Sequence, residues 1–235
     1  MATALDPSGP PPPPIVPEAG DDGGAGGAGR DDATDRRPSW VQALLLALAC
    51  VFAGAAGMYW WDHRPDDPNA ADVGFYDDMT VHHQQAIDMA LVYLRNGTDP
   101  ILRHMADEIV LFQAGDIRTM QTALQDWNKS PNDDVAMAWM GTPVAEDEQP
   151  GMANAGELAQ LRDARGRALD DLFSRLMINH HAGGAHMADA EARLGHDHDE
   201  RVWAEKLADA QRQEIHELNF ARTRLGLEPA EPVFH

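Results

Sequence analysis

The pattern of apolar and polar positions divides the chain into three parts. Residues 1–39 contain a proline run, a Gly/Ala run and no apolar periodicity. Such a segment buries too little apolar surface to offset the conformational entropy of ordering it, so we predict a disordered tail. Residues 40–61 are almost wholly apolar, whereas residues 66–228 carry apolar side chains at helical spacing. That spacing predicts a separate helical domain.

The apolar segment has the length of a membrane-spanning helix. Val41 to Tyr59 contains no charged residue, and at about 1.5 Å per residue it spans about 30 Å, close to the hydrocarbon thickness of a bilayer. Trp40 lies at one end and Trp60 and Trp61 at the other, as is typical of aromatic rings at membrane interfaces. We therefore predict one transmembrane helix over residues 40–61, with the lipid bilayer as its partner.

The flanking charges predict how this helix is oriented. Arg30, Arg36 and Arg37 precede it, whereas Arg64 alone follows it closely. Because positive residues favour the cytoplasmic side, we predict a single-pass protein of the cell membrane, with a cytoplasmic tail and an extracytoplasmic C-terminal domain. A cleaved signal peptide is the alternative, since residues 53–55 (Ala-Gly-Ala) resemble a cleavage site. A retained anchor is preferred because the apolar run continues past that point.

The predicted outer domain contains an internal repeat. A shift of 98 residues aligns 75–120 with 173–218 without a gap, and thirteen of the 46 aligned positions are identical. These identities include two His-His pairs, a glycine at the end of each first helix and a glutamine in each second helix. We therefore predict two equivalent halves, at about 72–126 and 157–225.

Each half is predicted to form two antiparallel helices. Two sets of residues each fall on one helical face: Phe75, Met79, His82, Ala86, Met89 and Tyr93, and then Ala106, Ile109, Gln113, Ile117 and Met120. Gly97 lies where a left-handed helix cap belongs, and Asp99-Pro100 supplies the next N-cap and first helical residue. With no period-two stretch after residue 66, these elements predict an all-α four-helix bundle built from two repeated helix pairs. The connection over 127–156 is long enough to cross it, with residues 135–140 packed against it.

Composition excludes several classes of function. The chain has 39 acidic and 18 basic residues, a formal charge of −21 and two lysines. Phosphate binding needs clustered Lys and Arg, so we predict no nucleic-acid partner. The single cysteine, Cys50, excludes an internal disulfide and any Cys-rich metal site. The unusual features are the 11 histidines and 11 methionines.

The repeated histidines lie on the core-facing stripe of each half. His82 is near its centre and His83 at its edge, and His180 and His181 repeat this arrangement. The methionines at helical spacing from them are Met79, Met89, Met177 and Met187, and the inward polar residues of the partner helices are Gln113, Asp116, Gln211 and Glu214. Imidazole with thioether is a ligand set suited to copper, particularly Cu(I), with zinc or iron as alternatives.

Other interpretations remain open at this stage. The histidines could be core hydrogen bonders in a metal-free acidic interaction module, and the methionines ordinary core residues. A ferritin-like redox enzyme would need more carboxylates than Asp116 and Glu214, and no nucleophile elbow, phosphate loop or Glu-x-x-His pair occurs, so we lean against an enzyme. The His196–Asp199 loop is interpreted as solvated. A small-residue stripe (Ala49, Ala53, Gly57) is compatible with an oligomer, and the sequence identifies no protein partner.

The His-His segments also resemble a known family. Residues 79–90 (MTVHHQQAIDMA) and 113–120 (QAGDIRTM), with the second-half segment 177–181 (MINHH), resemble the family called domain of unknown function 305. The resemblance implies a ferritin-like helical bundle that is exported or membrane-anchored, with copper bound by His and Met in some members. It implies that His82, His83, His180 and His181 are primary ligands, that the four methionines add sulfur, and that the Gln and acidic residues orient the imidazoles. The expected function is copper sequestration or delivery.

Overall fold

A computed structural model describes residues 39–62, 67–129 and 135–233. The predicted disordered tail therefore lies outside the described residues, apart from Ser39. The chain divides into two compact units, with the division between Tyr59 and Trp60.

Helix α1 (Trp40–Asp62) carries the predicted apolar segment. Its large apolar side chains, such as Leu46 and Phe52, are exposed. Residues 40–61 of this helix are long and apolar enough to cross a membrane, a property that a signal sequence shares.

The second unit is helical, which confirms the predicted all-α class. Within the described residues it contains α2 (Ala70–Asn96), α3 (Pro100–Asp126), β1 (Val135–Ala136), β2 (Val144–Ala145), α4 (Ala155–Asp163), α5 (Gly166–Leu194) and α6 (His198–Arg224), with short 3₁₀ turns at Ala138–Met140 and Glu146–Glu148. Asp99 caps α3 through the backbone N–H groups of Ile101 and Leu102, with Pro100 in the first turn as predicted.

The long helices pack as two hairpins. Helix α2 packs on α3 and α5 packs on α6, as the repeat predicts, and the hairpins meet through α2 and α5. Helices α3 and α6 touch only weakly, so the four long helices do not close into an even bundle. An open groove lies between α3 and α6.

The buried apolar side chains form two clusters. One contains Met79 of α2 and Met187 of α5, and the other contains Met89 of α2 and Met177 of α5. Each cluster thus takes one methionine from each half of the repeat, because equivalent positions on the two helices exchange ends across the contact.

The connection between the halves is more structured than the sequence indicated. Strands β1 and β2 form a two-residue antiparallel pair, and α4 is a separate nine-residue helix. Asp78 of α2 holds the connection, because its carboxylate accepts hydrogen bonds from the Met137 backbone N–H (2.8 Å) and from Trp139 Nε1 (2.7 Å). Burial raises the pKa of Asp78 to about 6 although both hydrogen bonds lower it.

The prediction of a left-handed cap at Gly97 is wrong. Gly97 and its repeat equivalent Gly195 both have extended backbones, with φ of −79° and −60°. Glycine is needed there for space: a Cβ on Gly97 would lie 2.5 Å from the Tyr93 ring, and one on Gly195 would lie 2.2 Å from the Glu191 carboxyl group.

Candidate metal centre

Two histidines, one from each half, stack at the centre of the α2–α5 contact. The rings of His82 and His180 have centroids 3.8 Å apart and planes inclined by 33°, and both side chains are buried. The 98-residue repeat explains the pair, since it places the same residue at the same point of two helices that pack on each other.

Backbone carbonyls fix the tautomer of both rings. His82 Nε2 lies 3.0 Å from the carbonyl oxygen of Pro150, and His180 Nε2 lies 2.9 Å from that of His82. Because a carbonyl can only accept, each Nε2 carries the proton and each Nδ1 keeps its lone pair. Burial, followed by neighbouring histidines, lowers the pKa of His82 to about 3 and that of His180 well below its usual range. Both rings are therefore neutral, which is the form that binds metal.

The second histidine of each pair faces a carboxylate on the next helix. His83 Nε2 lies 3.4 Å from Asp116 Oδ2, and His181 Nε2 lies 2.6 Å from Glu214 Oε2. Neither contact is aligned as a hydrogen bond, and the ring nitrogens of His83 and His181 have no hydrogen-bond partner. Burial opposes ionisation of Glu214, yet the adjacent His181 outweighs it and lowers the Glu214 pKa.

The four methionines that the sequence singled out are fully buried: Met79, Met89, Met177 and Met187. The two core clusters place them in pairs, one methionine from each half in each cluster. The sulfur-bearing side chains are therefore shared between the halves, as a site at the α2–α5 contact requires.

The interior contains polar atoms that the protein alone does not satisfy. Six ring nitrogens of the four buried histidines lack a hydrogen-bond partner, as do the side-chain oxygens of Gln113 and Gln211. Buried polar groups are nearly always paired, so an unpaired cluster indicates an additional ligand. Across the residues the structure describes, no three His, Cys, Asp or Glu side chains converge in a metal-binding arrangement. A metal held here would therefore need methionine sulfur as well as imidazole nitrogen.

Sequence reasoning missed the backbone and glycine contribution to this centre. The Pro150 carbonyl is brought to His82 because α5 carries glycine beneath it: a Cβ on Gly183 would lie 1.8 Å from Pro150 O. Gln85 fastens the same segment, since its amide donates to Ala153 O and accepts from Ala153 N. Two consecutive glycines inside a long predicted helix were the available signal.

These features define a class of all-α protein: a duplicated helix hairpin with histidine and methionine concentrated in its interior. The chain belongs to the family described as a domain of unknown function (DUF305), whose signature matches residues 72–222. No protein with a curated description matches the chain.

Three solved structures are similar to this chain. A candidate secreted DUF305 protein from Streptomyces coelicolor is 30% identical with a TM-score of 0.63, over 68% of this chain and 96% of that one. A DUF305 fragment from Deinococcus radiodurans is 26% identical with a TM-score of 0.60, over 68% and 99%. CopM in its Cu(II)-bound form is 26% identical with a TM-score of 0.54, over 66% and 97%.

Proposed function

We propose that this protein is a membrane-anchored, extracytoplasmic copper-binding protein that sequesters or delivers copper through histidine and methionine ligands. The observation that carries the proposal is the set of six unpartnered imidazole nitrogens buried between clusters that contain methionine. A bound metal ion would give those nitrogens the partner that the chain does not.

The donor chemistry favours copper over harder metals. Neutral imidazole nitrogens and thioether sulfurs are soft to intermediate ligands, which suit Cu(I) better than oxygen-preferring ions. The similarity to CopM, which has been solved in a Cu(II)-bound form, supports the same choice. In this proposal His82, His83, His180 and His181 supply nitrogen, and the four buried methionines supply sulfur. Asp116 and Glu214 orient the outer pair of imidazoles.

The membrane anchor in this proposal is α1. Its apolar side chains are exposed, as a helix surrounded by lipid would require, and Arg30, Arg36 and Arg37 precede it. A tag at the C-terminus should therefore be digested when protease is added to intact cells, and a tag at the N-terminus should be protected. The reverse pattern would contradict the orientation.

Copper binding is tested by anaerobic Cu(I) titration of the full-length protein in detergent micelles against a chromophoric chelator. The informative variant is His82→Gln/His180→Gln. Its amides can still donate to the Pro150 and His82 carbonyls but lack the lone pair that imidazole carries at Nδ1. We expect Cu(I) affinity to fall at least tenfold, a loss of about 1.4 kcal/mol or more in binding free energy.

The matched control is His104→Gln/His216→Gln, which changes two exposed histidines on α3 and α6. It should bind copper as the wild type does, and circular dichroism should report native helix content in both variants. Equal affinity in the wild type and in folded His82→Gln/His180→Gln would contradict the assignment of these rings as ligands.

A further inference from the structure

The groove between α3 and α6 is large enough to hold a small organic molecule. Its volume is about 550 Å³, within the range of small-molecule sites in proteins. It exists because α3 and α6 diverge while α2 and α5 remain packed. A bare metal ion would fill only a small part of this space.

Buried amides form part of the groove lining. Gln113 of α3 and Gln211 of α6 line it, both are nearly inaccessible, and the side-chain oxygen of each lacks a hydrogen-bond donor. Gly184 of α5 leaves the room that the Gln211 amide occupies, since a Cβ there would lie 2.2 Å from Gln211 Oε1. The groove thus offers two oxygen acceptors, equivalent by the repeat, that still require a donor.

The remaining lining combines apolar surface with negative charge. Apolar side chains from both helices contribute, among them Ile109, Phe112 and Trp203. Phe112 is 57% exposed, which is unusual for a large aromatic side chain and leaves its ring available to a ligand. Four carboxylates line the groove, from Glu108, Asp116, Glu214 and Glu217, against one ammonium group, that of Lys206.

We propose that this groove binds a small primary amine with an aromatic or aliphatic body. An ammonium group has three N–H donors, which suit the two glutamine oxygens and a carboxylate. Its positive charge complements the acidic lining, and the apolar body would cover Phe112 and Trp203, with a cation–π contribution from the rings. This site is separate from the stacked His82–His180 pair, neither member of which lines the groove.

The test uses three probes of similar size and the full-length protein in micelles with EDTA, so that copper plays no part. The probes are 2-phenylethylamine, its N,N,N-trimethyl derivative and 3-phenylpropionate, measured by ligand-detected NMR with empty micelles as a blank. We expect the amine to bind with a Kd on the order of 1 mM, as ligand efficiency allows for nine heavy atoms. The trimethyl derivative, which lacks N–H donors, and the anion should each bind at least tenfold more weakly.

Two variants place the binding in the groove. Ala210→Trp fills it from an exposed position on α6 and should abolish amine binding while helix content is unchanged. Glu108→Gln/Glu217→Gln removes two lining charges and should weaken amine binding about fivefold at low salt. Glu205→Gln, at an exposed position of α6 outside the groove, is the control. Equal binding of amine and anion, or wild-type amine binding by Ala210→Trp, would overturn the proposal.

Discussion

A buried carboxyl pair should make the stability of the helical unit depend on pH. Glu191, near the end of α5, and Asp72, in the first turn of α2, are both fully buried beside Gly195. Asp72 accepts hydrogen bonds from the backbone N–H groups of Asn69 and His196, whereas neither Glu191 oxygen has a partner. A proton on Glu191, donated toward Asp72, would supply the missing hydrogen bond.

The electrostatic surroundings favour that proton. Burial is the largest effect on Glu191, followed by the hydrogen bond and charge of Asp72. Asp197 adds to them, whereas Arg201 opposes them. Together they raise the pKa of Glu191 from its usual 4.5 to about 9. Folded protein therefore keeps this proton at neutral pH, whereas unfolded protein releases it above pH 4.5.

The direction and size of the effect follow from linkage. The contribution of Glu191 to stability is fully present below pH 4.5 and is lost as pH rises toward 9. Within that window each pH unit costs about 1.4 kcal/mol for one group. Between pH 5.5 and 7.5 the free energy of unfolding should therefore fall by about 2–3 kcal/mol because of Glu191. Glu191→Gln keeps a hydrogen-bond donor that does not titrate, so it should remove this part of the pH dependence.

Urea unfolding of the full chain in micelles at pH 5.5, 6.5 and 7.5, followed by circular dichroism, measures the effect. Other acids such as Asp78 titrate in both proteins, so the difference between wild type and Glu191→Gln isolates Glu191. Glu205→Gln, which changes an exposed acid on α6, should have the wild-type slope. If Glu191→Gln keeps the wild-type slope as well, Glu191 is ionised in the folded protein and the reasoning fails.

Further predictions concern the repeat equivalent of that pair and two glycines. Tyr93 donates a 2.6 Å hydrogen bond to Asp170, so Tyr93→Phe should cost about 1–3 kcal/mol, with no change between pH 5.5 and 7.5 in the same urea assay; a slope matching that of Glu191 would contradict this. Gly183→Ala would place a Cβ 1.8 Å from Pro150 O and should lower stability by about 2–3 kcal/mol. Gly115→Ala, in an exposed helix interior with open space around it, should instead raise stability by about 1 kcal/mol; a loss there as large as at Gly183 would show that space is not the cause.

Local signals predicted much of the fold. The repeat and the helical spacing gave the four long helices, and the Asp99-Pro100 pair gave the start of α3. These succeed because capping and helical periodicity depend on residues within one or two turns. The separate helix α4, the β1–β2 pair and the role of Gly97 were not predictable in the same way. The β pairing depends on contacts within a loop that has no periodic pattern, and the need for Gly97 arises from the position of the Tyr93 ring.

The sequence by itself determined that histidines and methionines recur at equivalent places on two core-facing stripes, because helical geometry and an internal duplication are both properties of spacing. Only the tertiary structure decided which nitrogen of each central ring is free, since the carbonyl oxygens of Pro150 and His82 fix those tautomers from other parts of the chain. It also decided that α3 and α6 diverge over Gln113 and Gln211. Helix separation depends on side-chain volumes summed across several elements, which no local pattern along the chain encodes.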